Sequence, residues 1–189
     1  MLYQKRRNLL QDEPSQENEG IIKVDLKKRI IRLYGTITLN ISAETIDNIQ
    51  KFEKKHSPFT IEFNSHGGSY EATMGIISNL ILCKSQIITD IKGIAYSAAA
   101  YLFLCGKVRK MSKVSILMFH DPLLSLDQEE SIIQLKNYLD VSVSSYYDLI
   151  KLLLKDTKVS VDTYKEKARP EWYIGAQEAL KLGLVHEIY

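Results

Sequence analysis

The segment Gly93-Ile94-Ala95-Tyr96-Ser97-Ala98-Ala99-Ala100-Tyr101-Leu102 sets one serine between a small-residue turn and an apolar, alanine-rich run. Upstream, Ile87-Ile88-Thr89-Asp90-Ile91 is short, β-branched and bounded by polar residues, which predicts a buried strand. Downstream, Ala98 to Cys105 predicts a buried helix, since Ala and Leu favour helix and nothing in the run demands solvent. Ser97 therefore falls where a strand turns into a helix. Such a turn exposes the hydroxyl and aims helix N–H groups at negative charge developing beside it. An ordinary N-cap serine has the same local pattern, so the rest of the chain has to decide between the two.

Working outward, the same unit recurs on both sides. Phe59-Thr60-Ile61-Glu62-Phe63 alternates like a strand, runs through Asn64-Ser65-His66-Gly67-Gly68-Ser69 and enters a helical pattern from Glu71 to Leu82. Ser115-Ile116-Leu117-Met118-Phe119 predicts another strand, which delivers His120-Asp121-Pro122. Nearer the N-terminus, Ile21 to Asp25 and Arg29 to Gly35 predict strands joined through Leu26-Lys27-Lys28. A helix opens at Ser42, read as its cap, and ends before His56-Ser57-Pro58. Beyond His120 the apolar spacing predicts one long helix or two in line from Asp127 to Leu154, short helices over Val161–Ala168 and Ala176–Leu182, and a last strand from Val185 to Tyr189. This alternation predicts an α/β fold with a largely parallel sheet.

Composition excludes several classes. The chain has 189 residues, 45% hydrophobic and 25% charged, with a net charge of +2. That is enough chain for one domain with a sizeable core, and the charge balance gives no reason to expect nucleic acid or an anionic membrane as partner. No segment reaches the apolar length of a membrane span, and the residues after Met1 lack the apolar core of a signal peptide. Cys83 and Cys105 lie in apolar runs and are expected to be free thiols. The expected location is the cytoplasm. Residues 1 to 20 are polar and mixed in charge, and are expected to form a flexible arm ahead of a domain spanning 21 to 189.

Gly67-Gly68 after one strand, Ser97 after the next and His120 after a third are the ingredients of acyl transfer. Strand ends on one edge of a parallel sheet converge on one crevice. Serine is a weak nucleophile until a base takes its proton, and His is the usual base near neutral pH. A developing oxyanion needs preorganised donors, which bare N–H groups at Gly68 and Ala98 would supply.

Four ordered segments carry a family resemblance: Asn64 to Ser69, Gly93 to Ala100, Met118 to Pro122, and Glu178-Ala179-Leu180-Lys181-Leu182-Gly183-Leu184-Val185. Over roughly Ile21 to Tyr189 the chain resembles the caseinolytic protease proteolytic subunit (ClpP) family. His120-Asp121-Pro122 and Glu171-Trp172-Tyr173 are flavoured like its branch of phage head-maturation and translocation-enhancing-type proteins. The resemblance implies a ClpP/crotonase-like fold with a protruding handle helix over Asp127–Leu154. It implies Ser97 as nucleophile, His120 as general base, and Gly68 and Ala98 at the oxyanion hole. Glu171 stands where the family places its third, acidic member, and Asp121 is the rival acid. His66 replaces the family's proline before Gly-Gly and is read as a structural or surface residue. The spacing from Ser97 to His120 is two residues shorter than in the housekeeping subunit, which reads as a trimmed loop around Lys107 to Lys113, its lysines solvated.

The implied activity is a serine endopeptidase in a ring-shaped homo-oligomer, with stacked heptamers in the family. Its substrate would be a peptide or unfolded protein, fed by a separate AAA+ unfoldase, with no cofactor and no metal in the protease itself. The N-terminal arm does not match the family's axial loop, so docking of an unfoldase stays open. Two other readings remain. One is a non-catalytic ClpP-like assembly or regulatory subunit, motivated by Glu171 and the altered glycine turn. The other is acyl-CoA chemistry on a crotonase-type fold, which needs no Ser–His pair in this order.

Overall fold

The computed structural model describes residues 20–122 and 131–189. The arm expected over residues 1–20 lies, but for Gly20, outside the described residues. Eight strands are present among those described: β1 (Ile21–Asp25), β2 (Ile30–Ile37), β3 (Phe59–Gly68), β4 (Ile87–Tyr96), β5 (Val108–Met111), β6 (Ile116–Phe119), β7 (Trp172–Gly175) and β8 (Glu187–Ile188). Six helices accompany them: α1 (Leu39–Glu53), α2 (Tyr70–Leu82), α3 (Ala98–Leu104), α4 (Ile132–Leu154), α5 (Val161–Lys167) and α6 (Ala176–Lys181).

The sheet runs β1-β2-β3-β4-β5-β8, parallel throughout except for the β1–β2 hairpin. Asp25 closes that hairpin by accepting the N–H groups of Lys27 and Lys28. β4 forks. Its first half pairs with β5, its second half with β6, and β6 pairs antiparallel with β7. The fork brings the ends of β3, β4 and β6 to one edge.

One face of the sheet is the core. Ile31, Leu33, Ile61, Phe63 and Ile91 are at most 1% exposed, and α3 packs against β3 and β4. Strand residues alternate between faces, so the intervening Arg32, Glu62 and Asp90 point the other way. All seven residues of α3 are buried, as its apolar run predicts.

Two expectations need correction. Helix α1 begins at Leu39 with Thr38 as its cap, whose Oγ1 accepts the Ile41 N–H. Ser42 sits one turn inside, buried, and donates to the Ala72 carbonyl on α2. Its hydroxyl serves packing between helices, a role that local spacing cannot distinguish from a cap. Lys107 to Lys113 is no mere loop, since it contains β5. That strand is only four residues long, and its pairing with β4 decides it. β7 is likewise too short to stand out.

The expected long helix is present as α4. Residues 127–130, its expected first turn, lie outside the described residues. Tyr146, Leu149, Ile150, Leu153 and Leu154 are buried against the domain. Before Tyr146, Ile132, Ile133, Tyr138, Val141 and Val143 are exposed, up to 83% at Ile132. The helix is therefore anchored by its last third and presents an apolar surface along the rest, ~20 Å of helix at 1.5 Å per residue.

Candidate active site

Ser97 has φ 53 and ψ −121, a conformation that side chains other than glycine rarely adopt. Its hydroxyl makes no cap hydrogen bond to α3. This excludes the ordinary N-cap reading, in which the side chain would satisfy a helix amide. Instead the backbone is held on both sides: Ser97 N–H donates to the Met118 carbonyl at 2.9 Å, and its own carbonyl accepts from Ala100 at 2.9 Å and Tyr101 at 3.3 Å. A strained backbone secured by its surroundings, with the side chain left free, is a reactive-site pattern. Ala98, as the first residue of α3, has no intrahelical partner for its N–H.

The two glycines, expected after the strand, form the last residues of β3, paired with Thr36 and Ile37 of β2, and abut this elbow. Gly67 has φ +96, and a Cβ there would lie 2.7 Å from the Tyr96 carbonyl oxygen, 2.9 Å from Ala98 N and 2.9 Å from Ser97 Cβ. Gly68, at φ +154, would meet Ile37 O at 2.3 Å. Only glycine lets the strand end slide between β2 and the serine. Ser65 pins it, donating to Gly35 O at 2.6 Å and accepting the Gly67 N–H at 3.1 Å. Ser69 N–H is spent on Ile37 O.

His120 follows β6, next to Ser97 on the sheet edge, because β4 and β6 pair as Tyr96↔Met118. Its Nδ1 lies 2.6 Å from the Asp121 carbonyl oxygen. A carbonyl only accepts, so Nδ1 carries the proton and Nε2 is left as the basic nitrogen. The antiparallel ladder between β6 and β7 ends at Phe119↔Trp172, and His120 and Glu171 are the residues that flank that last pair. Here the Glu171 carboxylate accepts the Tyr173 hydroxyl at 3.0 Å. The Asp121 carboxylate pairs with Arg169 Nε at 2.8 Å. His66 is exposed and stands edge-on to Tyr96, ring centres 6.0 Å apart. A cavity of about 300 Å³ opens beside Asp121 and Pro122, walled by Tyr70, Tyr138, Val143 and Tyr146.

Residues 13–189 match the Clp protease family. The chain belongs to that family. It is 24% identical over 172 residues to the ATP-dependent Clp protease proteolytic subunit 2 of Borreliella burgdorferi, covering 88% of this chain and 85% of the relative. Clp protease membership supports a ClpP-like peptidase that assembles with copies of itself, on the α/β fold seen here. No helix among the described residues is long and apolar enough to cross a membrane.

Cys83 and Cys105 are free thiols, as expected, each half-buried and donating within its own helix, to Asn79 O and Tyr101 O. Burial pushes the Cys83 thiol up to about 11 and the Cys105 thiol to about 12, so neither is a reactive thiolate at neutral pH.

Two groups at this candidate site escaped the sequence. One is the Asp121 carbonyl, which holds the His120 tautomer. The other is the Tyr101 hydroxyl, which donates to the His120 carbonyl at 2.7 Å. Tyr101 lies within the segment that decides the fold, but a tyrosine in an apolar helix reads as core. Its polar end found a partner 19 positions away.

Proposed function

We propose that the chain is a serine endopeptidase of the ClpP type. Ser97 Oγ attacks a peptide carbonyl, and His120 Nε2 takes its proton and passes it to the leaving amine. The resulting acyl-enzyme is hydrolysed by water activated the same way. The N–H groups of Gly68 and Ala98 stabilise the oxyanion. Once its carboxylate turns from Tyr173 to the imidazole, Glu171 shares the Nδ1 proton with the Asp121 carbonyl and so orients and charge-stabilises His120. The cavity beside Asp121 receives a substrate side chain.

The observation that carries this reading is the Ser97 elbow: a left-handed backbone with an uncommitted hydroxyl, packed against Gly67 and one strand from His120. The exposed apolar length of α4 supports a handle through which copies stack into a closed chamber. The B. burgdorferi relative is described as ATP-dependent. By analogy, a separate AAA+ unfoldase would feed the chamber with unfolded protein in the cytoplasm, while the protease itself needs no cofactor.

Intact mass after incubation with a fluorophosphonate tests the assignment. We expect one adduct on the wild type and none on Ser97→Ala, with hydrolysis of a peptide substrate reduced by roughly 10⁴-fold or more. Equal labelling of both chains would remove Ser97 from the mechanism. A second reading, a non-catalytic subunit, draws on Glu171 being engaged by Tyr173 instead of His120. A folded wild type that takes no adduct would establish it.

A further inference from the structure

Tyr101, Tyr146 and Tyr164 come from three helices, α3, α4 and α5, and are 4%, 4% and 0% exposed. Their hydroxyl oxygens form a triangle with sides of 3.2 Å (Tyr101–Tyr146), 3.1 Å (Tyr101–Tyr164) and 2.6 Å (Tyr146–Tyr164). Donor accounting gives this triangle a direction. Each phenol carries one proton, and the His120 carbonyl can only accept, so the Tyr101 proton goes there. Tyr101 Oη then acts as an acceptor toward its two neighbours. Of Tyr146 and Tyr164, one donates to the other and the second donates to Tyr101. All three protons are used, and the chain ends on His120.

Burial raises the pKa of all three hydroxyls, so they stay protonated at any working pH. Three buried phenols would be a poor way merely to fill space, because phenylalanine packs equally well without a polar atom to satisfy. The rings also hold the residue before the base. Tyr101 stacks on Phe119 at 6.0 Å, and Tyr164 meets it edge-on at 5.7 Å.

We propose that Tyr101 is a positioning residue for His120, and that Tyr146 and Tyr164 extend its hydrogen bond into a chain joining the His120 carbonyl to the anchored end of α4. The proposal rests on the reading of His120 as general base. The His120 carbonyl and the Asp121 carbonyl, which takes the Nδ1 proton, lie in successive planar peptides. Pro122 narrows the Asp121 dihedrals between them, so fixing the first restrains the second, and with it the ring. The handle's anchor and the base thus share one polar chain.

The test uses the full chain and its Tyr→Phe variants. Three quantities are read: the second-order rate of fluorophosphonate labelling at Ser97, the pH profile of that rate, and the thermal midpoint. Tyr101→Phe is expected to slow labelling by about ten- to a hundred-fold, the scale of a small misplacement of a catalytic group, and to displace the acid limb of its pH profile. Tyr146→Phe and Tyr164→Phe are expected to slow it less, although Tyr164 is the most buried of the three. Labelling of folded Tyr101→Phe at the wild-type rate with an unshifted profile, and the largest loss in midpoint at Tyr164→Phe, would overturn the proposal in favour of simple packing. If Tyr101→Phe does not fold, Tyr146→Phe decides: a shifted profile supports the chain, and a wild-type profile overturns it. An unlabelled wild type defeats the serine-protease reading and the proposal together, whereas a labelled wild type with an unaffected Tyr101→Phe defeats the proposal alone.

Discussion

Across the middle of the sheet, Arg32, Glu62, Asp90, Lys110 and Glu187 stand in one register row over five strands. A few residues further along β3 and β4, the sheet edge presents Gly67, Gly68 and Ser97. In the row nearly every polar atom is answered. Glu62 takes Arg32 at 2.6 Å and Lys92 at 2.7 Å, Lys110 takes Glu187 at 2.7 Å, and the Tyr189 hydroxyl donates to Asp90 at 2.8 Å. At the edge the serine hydroxyl is uncommitted, and Gly67, Gly68 and Ser97 itself all have positive φ. The same strands supply both regions. Matched charges in the row contribute to holding the strands in register, and that rigidity lets the edge keep strained, unsatisfied groups in place.

Five substitutions break or sharpen this contrast. The largest effect is expected at Glu171→Gln, which removes the acid proposed to orient His120 and should lower kcat by roughly 10²- to 10⁴-fold with little change in folding. Asp121→Asn should change kcat by less than about ten-fold, because its carboxylate already serves Arg169. Steady-state kinetics on both variants checks this, and the reverse order would transfer the orienting role to Asp121.

Gly67→Ala comes next. Its Cβ would press on backbone atoms of Tyr96 and Ala98 that cannot swing away. We expect roughly 10²-fold slower fluorophosphonate labelling and a stability loss of about 1–3 kcal/mol, read from urea titration.

In the charged row, Glu62→Gln leaves Arg32 without its carboxylate and Lys92 with only Asp90, 3.7 Å away. Lys92 is half exposed, so solvent softens the loss to about 1–2 kcal/mol. Labelling of Ser97 should be unchanged, since the row touches no reacting atom. A slowed reaction would show that the two regions are coupled.

The smallest effect concerns acid. The Ser85 hydroxyl, the N–H groups of Lys84 and Ser85 and the His56 ring hold the Glu53 carboxyl down at about 2, against an ordinary 4.5, even though partial burial opposes this. A depressed carboxylate contributes stability that is fully present above its unfolded pKa and is lost as pH falls through its folded pKa. Unfolding midpoints should therefore drop between pH 4.5 and 2 in the wild type, and this part of the drop should vanish in Glu53→Gln. An identical acid limb in both would remove Glu53 as its source.

The strand–turn–helix units around Gly67 and Ser97 and the strand that delivers His120 were legible because each needs only a short apolar run with a chemistry-bearing residue at its end. Ser42 misled for the opposite reason. A hydroxyl near a helix start has two equally local uses, and its choice depended on Ala72, 30 positions away. β5 and β7 are four residues each, too short for periodicity to register, and exist through their pairings with β4 and β6.

By itself the sequence determined the α/β alternation, the serine at a strand-to-helix turn and the order of the Clp protease segments, because these depend on neighbours within a few positions. The tertiary structure alone decided that β4 forks, that Ser97 takes a left-handed backbone, that a carbonyl holds the His120 proton, and that three tyrosines from separate helices meet. Those outcomes turn on which distant groups compete for the same proton or the same space, and that competition begins only when the chain is folded.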